Sequence, residues 1–153
     1  MPQGRNHTAA ATDDSLFYVF GGRGGGNTVA NGSDTVQIYD PLKDSWDSSL
    51  SPGSLLAPLP QPRGGMGKAV FFAGEFYVLG GETSSGTGAT PDRVYNRVDI
   101  YCPASNTWRQ GTPMFTARHG ICPVLEGTRI YVAGGGIVAG SSSSAILEVY
   151  IVP

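Results

Sequence analysis

"FYVFGG" at residues 17–22 is an apolar run that ends on two glycines, and the chain repeats it as "FYVLGG" at 76–81 and "IYVAGG" at 130–135. The residues before the glycines are apolar or tyrosine at every position, which is typical of a strand covered on both faces. A glycine pair after such a strand allows positive φ angles and a close approach by neighbouring backbone. The three copies predict an internal repeat in which small antiparallel sheets pack face to face around a common axis.

Other residues recur in step with the glycine pairs. An arginine precedes each strand, and a strand with a tyrosine follows each pair, as "VQIY", "VDIY" and "LEVY". A tryptophan follows this tyrosine at the same spacing in the first two units, and the third unit stops without one. The predicted structural repeat residues are Gly21, Gly22, Tyr39, Trp46, Gly80, Gly81, Tyr101, Trp108, Gly134, Gly135 and Tyr150.

Each complete unit is predicted to hold four short strands, because its apolar runs are brief and rich in Val, Ile, Tyr and Phe. The first strand of the second unit, for example, is expected over residues 67–72. No segment longer than a turn has helical periodicity. We therefore expect an all-β chain that forms one region over residues 1–153, with repeats at about 5–50, 63–110 and 118–153, the last without its tryptophan strand.

The composition argues against several classes of protein. With a formal net charge of −2 over 153 residues, the chain has no basic face of the kind that nucleic-acid binding requires. No apolar run is long enough to span a bilayer, so we expect no membrane segment in this sequence. The two cysteines form neither a disulfide framework nor a paired metal-binding spacing. No signal peptide is visible, which favours the cytoplasm while the compartment stays open.

The glycine pairs, with their spaced tyrosines and tryptophans, resemble the kelch repeat, whose fold is the β-propeller. The segments "RNHTAAATDDSLFYVFGG", "PQPRGGMGKAVFFAGEFYVLGGE" and "TARHGICPVLEGTRIYVAGGG" are similar to successive units of stand-alone, galactose-oxidase-like kelch proteins. This resemblance covers nearly the whole chain. It implies a kelch-type propeller of three four-stranded antiparallel blades, the last of them incomplete.

Three blades would form an open half-ring, since complete kelch rings commonly contain about six or seven. An open arc exposes an apolar blade face at each end and an unpaired strand edge. It would be completed either by blades of a longer protein, of which this sequence would be the carboxy-terminal part, or by self-association with a second chain. The sequence favours the longer protein, because self-association would leave each third blade one strand short.

Long connections are predicted on one face of the arc, at residues 23–34, 82–97 and 136–145 and in the linkers 47–63 and 109–118. Long loops on a rigid scaffold often carry binding sites, so we expect a non-catalytic binding module or scaffold that contacts a protein or peptide through this face. Several kelch domains bind acidic peptide motifs through arginines that precede the first strand of each blade. This resemblance implies a site at Arg5, Asn6, His7, Arg63, Arg118 and His119. The alternative, in which these arginines pair with backbone or acids of their own chain and hold the blades together, stays open.

Catalytic alternatives rest on the same resemblance. Galactose oxidase is a copper enzyme built on kelch blades, and it uses a Tyr–Cys crosslink, a second tyrosine and two histidines. Here the adjacent Tyr101 and Cys102 point to opposite faces of a strand, and only His7 and His119 offer imidazole, from different units. The sequence therefore predicts no enzyme activity, no metal and no cofactor. Two alternatives remain: part of a galactose-oxidase-like enzyme, or the substrate-recognition part of a ubiquitin-ligase adaptor.

Overall fold

The computed structural model of the chain describes residues 1–24, 32–83 and 93–152. Within these ranges the regular structure consists of β-strands, and no helix is long and apolar enough to cross a membrane. The strands are β1 (Ala9–Thr12), β2 (Phe17–Phe20), β3 (Val36–Asp40), β4 (Ser45–Ser48), β5 (Gly67–Lys68), β6 (Val70–Phe72), β7 (Glu75–Leu79), β8 (Glu82–Thr83), β9 (Arg93–Val94), β10 (Val98–Cys102), β11 (Thr107–Gln110), β12 (Val124–Glu126), β13 (Arg129–Ala133) and β14 (Leu147–Ile151).

Three antiparallel sheets follow one another along the chain. Blade 1 has the strand order β4-β3-β2-β1, and blade 2 has the order β11-β10-β7-β6. Blade 3 has three strands in the order β12-β13-β14 and, within the described ranges, no fourth. The predicted all-β architecture, an open partial propeller whose last blade is incomplete, is thereby confirmed.

The first strand of the second unit differs from the expected single strand over residues 67–72. It is divided into β5, which pairs in parallel with β1 of blade 1, and β6, which pairs with β7 of blade 2. Gly67 is the first residue of β5 and has φ +83°, and a Cβ on it would lie 1.9 Å from the carbonyl oxygen of Ile121. The inner edges of all three blades therefore meet at this point, which only a glycine permits.

The core consists of two apolar layers, one between each pair of neighbouring blades. Tyr18 and Phe20 of β2 pack against Phe76 of β7, with ring centroids 4.3 Å and 5.5 Å apart. On the other side of β7, Tyr77 packs against Tyr150 of blade 3, with ring centroids 6.4 Å apart. Since β7 is covered on both faces, its apolar residues are all at most 1% exposed, which explains why this strand is apolar without alternation.

The glycine pairs lie where the next blade approaches most closely. Gly21 and Gly80 have φ angles of +59° and +62°, and a Cβ on them would lie 2.7 Å and 2.4 Å from the carbonyl oxygens of Arg63 and Arg118. The following glycine of each pair donates its N–H to the same carbonyl, at 2.9 Å in both cases. The repeated motif is therefore the contact by which one blade binds the backbone of the next.

Candidate functional site

The long connections of the described chain leave the blades on one side, which we call the loop face. They include the segments between β2 and β3, between β7 and β10 and between β13 and β14. Turns on the opposite side, such as residues 13–16, 41–44 and 103–106, are short. The predicted loops at 23–34 and 82–97 lie partly outside the described residues, at 25–31 and 84–92.

Arg63 is fully buried, and its guanidinium is bound by its own chain. It donates to the carbonyl oxygens of Gly80 at 2.7 Å, Gln61 at 3.1 Å and Val78 at 3.2 Å. Its Nη1 also lies 2.8 Å from Oδ2 of Asp99, which is itself buried. Burial lowers the pKa of Arg63 below its ordinary value, and the Asp99 carboxylate opposes that shift.

Arg118 occupies the same position in blade 3 and is also fully buried. Its Nη1 donates to the carbonyl oxygens of Val132 at 3.0 Å, Gly134 at 2.9 Å and Ile146 at 3.0 Å. Its Nη2 donates to Oε2 of Glu148 at 3.0 Å. Both arginines thus bind the ends of strands in their own blade.

The backbones of these two arginines bind the preceding blade. Arg63 donates its N–H to the carbonyl of Ser33 at 3.1 Å, and Arg118 donates to the carbonyl of Tyr95 at 3.1 Å. Their carbonyls accept from the glycine pairs described above. Arg63 and Arg118 therefore contact two adjacent blades, as the alternative left open by the sequence expects.

Arg5 is the counterpart in blade 1, and its surroundings differ because Gln37 stands where the other units have Asp99 and Glu148. Arg5 is half-buried; its Nη2 donates to Oγ1 of Thr35 at 2.8 Å and to the side chain of Gln3. In the described chain, Nε of Arg5 is buried without a hydrogen-bond partner, as is Nε of Arg118, and Oε1 of Gln37 is unpaired as well. Burial lowers the pKa of Arg5, with a nearby carboxylate acting against the shift.

The remaining predicted residues lie at the loop face with different exposures. The backbone of Asn6 pairs with that of Arg23, with N–H to carbonyl distances of 3.1 Å and 2.8 Å. His7 is exposed, has a φ of +53° and places Nδ1 2.8 Å from Oδ1 of Asn6. His119 is buried, and its Nε2 lies 2.9 Å from the carbonyl oxygen of Val138. A binding role for the six residues stays a prediction, and Arg5, Asn6 and His7 are the most accessible of them.

A buried ionic cluster that the sequence reasoning missed joins the three blades at the loop face. The Glu82 carboxylate, only 1% exposed, accepts from the guanidinium of Arg23 and lies 3.3 Å from Nδ1 of His119. Its other oxygen accepts from the N–H of Gly140 at 2.7 Å. Arg23 and Glu82 each follow a glycine pair directly, and that shared position was the available sequence signal.

The side chains considered for copper chemistry have other contacts. Tyr101 packs between blades 1 and 2 and donates its hydroxyl to Oδ1 of Asn106 at 2.9 Å. Burial raises its pKa to about 12. Within the described ranges, no group of three or more His, Cys, Asp and Glu residues is placed to hold a metal ion.

Sequence comparison finds the kelch motif at residues 4–48 and 64–115. The chain is 28% identical to Kelch-like protein terF of Aspergillus terreus over its whole length, 30% identical to Beta-scruin of Limulus polyphemus over 88% of its length, and 34% identical to Kelch repeat and BTB domain-containing protein 12 of Danio rerio over 70%. It spans 31%, 14% and 18% of these three relatives, respectively.

A solved structure, that of YjhT, superposes on 88% of this chain with a TM-score of 0.67 and 24% sequence identity, and the match covers 35% of that protein. This likeness supports the fold seen in the three blades. Together with the motif match over most of the chain, it establishes that the chain belongs to the kelch family and folds as part of a β-propeller.

Proposed function

We propose that this chain is a non-catalytic protein-interaction module that binds a partner protein or peptide through its loop face. The observation that carries this proposal is the grouping of the long connections on one side of a rigid arc, opposite short turns. Buried contacts at Arg63, Arg118 and Glu82 hold the bases of these loops in fixed positions. Loops on such a scaffold can vary in sequence without loss of the fold, which is how binding sites are commonly built.

An acidic peptide is the proposed class of ligand. Arg93 is exposed at the loop face, and Arg5 and His7 lie at the part of this face that belongs to blade 1. A guanidinium suits a carboxylate because its planar fork can donate two parallel hydrogen bonds. Arg63 and Arg118 support the site from below, since their own guanidiniums are already bound.

Binding of a fluorescent oligo-glutamate peptide, compared with an oligo-glutamine peptide of equal length, tests the ligand class. We expect binding of the acidic peptide that weakens with added salt and falls by about tenfold or more in the double variant Arg5→Glu, Arg93→Glu. The matched control is Arg129→Glu, because Arg129 is an exposed arginine at the end of β13 away from the loop face. Equal binding of both peptides, or equal loss in the control, would contradict the acidic ligand.

The non-catalytic part of the proposal has its own test. Copper loading followed by an alcohol-oxidase assay should give no turnover above that of free copper. Turnover that copper removal abolishes would replace the binding function with an oxidase.

A further inference from the structure

The two ends of the arc present opposite halves of one repeated interface. Along each Tyr-Val strand, side chains alternate between the preceding and the following blade. In β7, Phe76 and Val78 belong to the apolar layer with blade 1, whereas Tyr77 and Leu79 belong to the layer with blade 3. The same alternation in β2 and β13 determines which side chains the ends of the arc expose.

Blade 1 exposes the half that faces a preceding blade. Phe17 and Val19 occupy the positions of Phe76 and Val78, and Phe17 is 49% exposed whereas Phe76 is 0% exposed. With Tyr39 and Trp46 they line an open apolar depression of about 520 Å³. Their counterparts in blade 2, Tyr101 and Trp108, pack on Phe20 of blade 1 with ring centroids 5.9 Å and 5.5 Å away.

Blade 3 exposes the half that faces a following blade. Val149 occupies the position of Ile100, and it is 39% exposed whereas Ile100 is 0% exposed. Its neighbours on β14, Leu147 and Ile151, are 64% and 69% exposed. A row of exposed aliphatic side chains on one strand is uncommon at a free protein surface and indicates a contact site.

The backbone at these ends is complementary as well. Gly134 keeps a φ of +66°, as Gly21 and Gly80 do, yet the nearest described atom to a Cβ on it would be the Ser144 carbonyl oxygen at 3.5 Å. For Gly21 and Gly80, by contrast, the carbonyl oxygen of the arginine in the following blade lies within 2.7 Å of the equivalent Cβ position. Arg5 is the residue that occupies the place of this arginine in blade 1.

We propose that two copies of this chain pair head to tail, with blade 3 of each packed on blade 1 of the other, and close a ring of two chains. A second copy fits because one chain carries both halves of an interface that it already forms twice internally. The three described strands of blade 3 already pack on blade 2 through Tyr150, so a contact between blades does not require a fourth strand. Two such contacts related by a twofold axis close the assembly, whereas a contact that did not close would produce filaments.

Light scattering coupled to size exclusion, applied to the 153-residue chain, tests this assembly. We expect a mass of twice the 16.0 kDa of one chain. Phe17→Asp and Val149→Asp should each weaken the dimer by at least about tenfold, because each would bury an unpaired carboxylate in the contact. Both side chains are exposed in the single chain, so far-ultraviolet circular dichroism should show that the variants stay folded.

Mixing the two variants supplies the decisive measurement. In a mixed pair, the unaltered blade 3 of the Phe17→Asp chain meets the unaltered blade 1 of the Val149→Asp chain, so one contact is restored and the dimer returns. Leu42→Asp, at a turn residue that is 96% exposed and outside both end faces, is the matched control and should stay dimeric. A monomeric wild-type chain, as expected if further blades of a longer protein cover these faces, would overturn the proposal. So would open polymers, a dimer that persists in both variants, or a mixture that stays monomeric.

Discussion

At the scale of single residues, the position of Gly80 accepts only a residue without a Cβ, for two independent reasons. Its φ of +62° disfavours any L side chain, and the carbonyl of Arg118 would lie 2.4 Å from the added carbon. Gly127 has a similar φ of +58° in the β12–β13 turn, but no atom lies within 4 Å of its notional Cβ. These two glycines therefore share the backbone conformation and differ in the contact with a neighbouring blade.

We expect Gly127→Ala to lower the free energy of unfolding by about 1 kcal/mol, from the backbone conformation alone. Gly80→Ala should cost about 3 kcal/mol or more, because the backbone of blade 3 must also shift. Urea denaturation at one protein concentration measures both values. Equal losses would show that the glycine pair serves only the turn and that the contact between blades is dispensable.

Arg63 is the second residue whose environment makes a strong prediction. We expect Arg63→Met to lower the free energy of unfolding by about 3 kcal/mol, because three carbonyls would lose their donor and Asp99 would keep Arg97 as its cationic partner. Arg109→Met is the control, since Arg109 pairs with Glu75 at an exposed position, and it should cost at most about 1 kcal/mol. A loss at Arg63 as small as that at Arg109 would show that the buried guanidinium of Arg63 is not needed for stability.

At the scale of the strand, β7 contributes one row of side chains to each of the two apolar layers, whereas β2 and β13 contribute one row to a single layer. These layers contain several tyrosines, so ionisable hydroxyl groups are buried in the core. Tyr101 is 1% exposed, and burial raises its pKa from 10.0 to about 12. The folded protein therefore keeps the Tyr101 proton at a pH at which the unfolded chain has lost it.

The resulting stabilisation is complete below pH 10.0 and is lost as the pH rises from 10.0 to about 12. We expect the free energy of unfolding, measured by urea denaturation across this range, to fall with increasing pH. In Tyr101→Phe the fall should be shallower, because the ionisable group is gone, although other buried tyrosines leave some slope. Parallel curves for the two proteins would show that Tyr101 ionises as easily in the folded state as in the unfolded one.

At the scale of the whole molecule, the apolar layers of the described chain lie between neighbouring blades, so the exposed faces at the ends of the arc are the ones that these layers leave uncovered. A twofold axis through the centre of a closed pair would place both loop faces on the same side of the ring. The proposed peptide site would then occur twice around one opening, and a bivalent partner could bind both copies. The two proposals stay separable, because Arg93 lies outside both end faces, whereas the backbone of Arg5 would belong to the proposed contact. The single variant Arg93→Glu should therefore weaken peptide binding and keep the mass of the wild-type protein.

The sequence predicted the strands well where a local pattern carries the information. The three Tyr-Val segments, the tyrosine strands and the glycine pairs all lie where their spacing indicated. The division of residues 67–72 into β5 and β6 was missed, because the parallel partner of β5 is contributed by a different repeat. The Glu82 cluster was missed for the same reason: Arg23, Glu82 and His119 come from three units and are neighbours only after folding.

By itself, the sequence determined a repeated antiparallel blade with glycine at each point of closest approach. The spacing of apolar residues and the backbone preferences of turn residues are local properties, and each is set by a few neighbouring residues. The contacts of the arginines were decided by the tertiary structure. An arginine beside a strand can bind a partner's carboxylate or one of its own chain, and the local sequence is the same in both cases. Only the fold brought Asp99 and Glu148 within 2.8 Å and 3.0 Å of Arg63 and Arg118 and removed both guanidiniums from water.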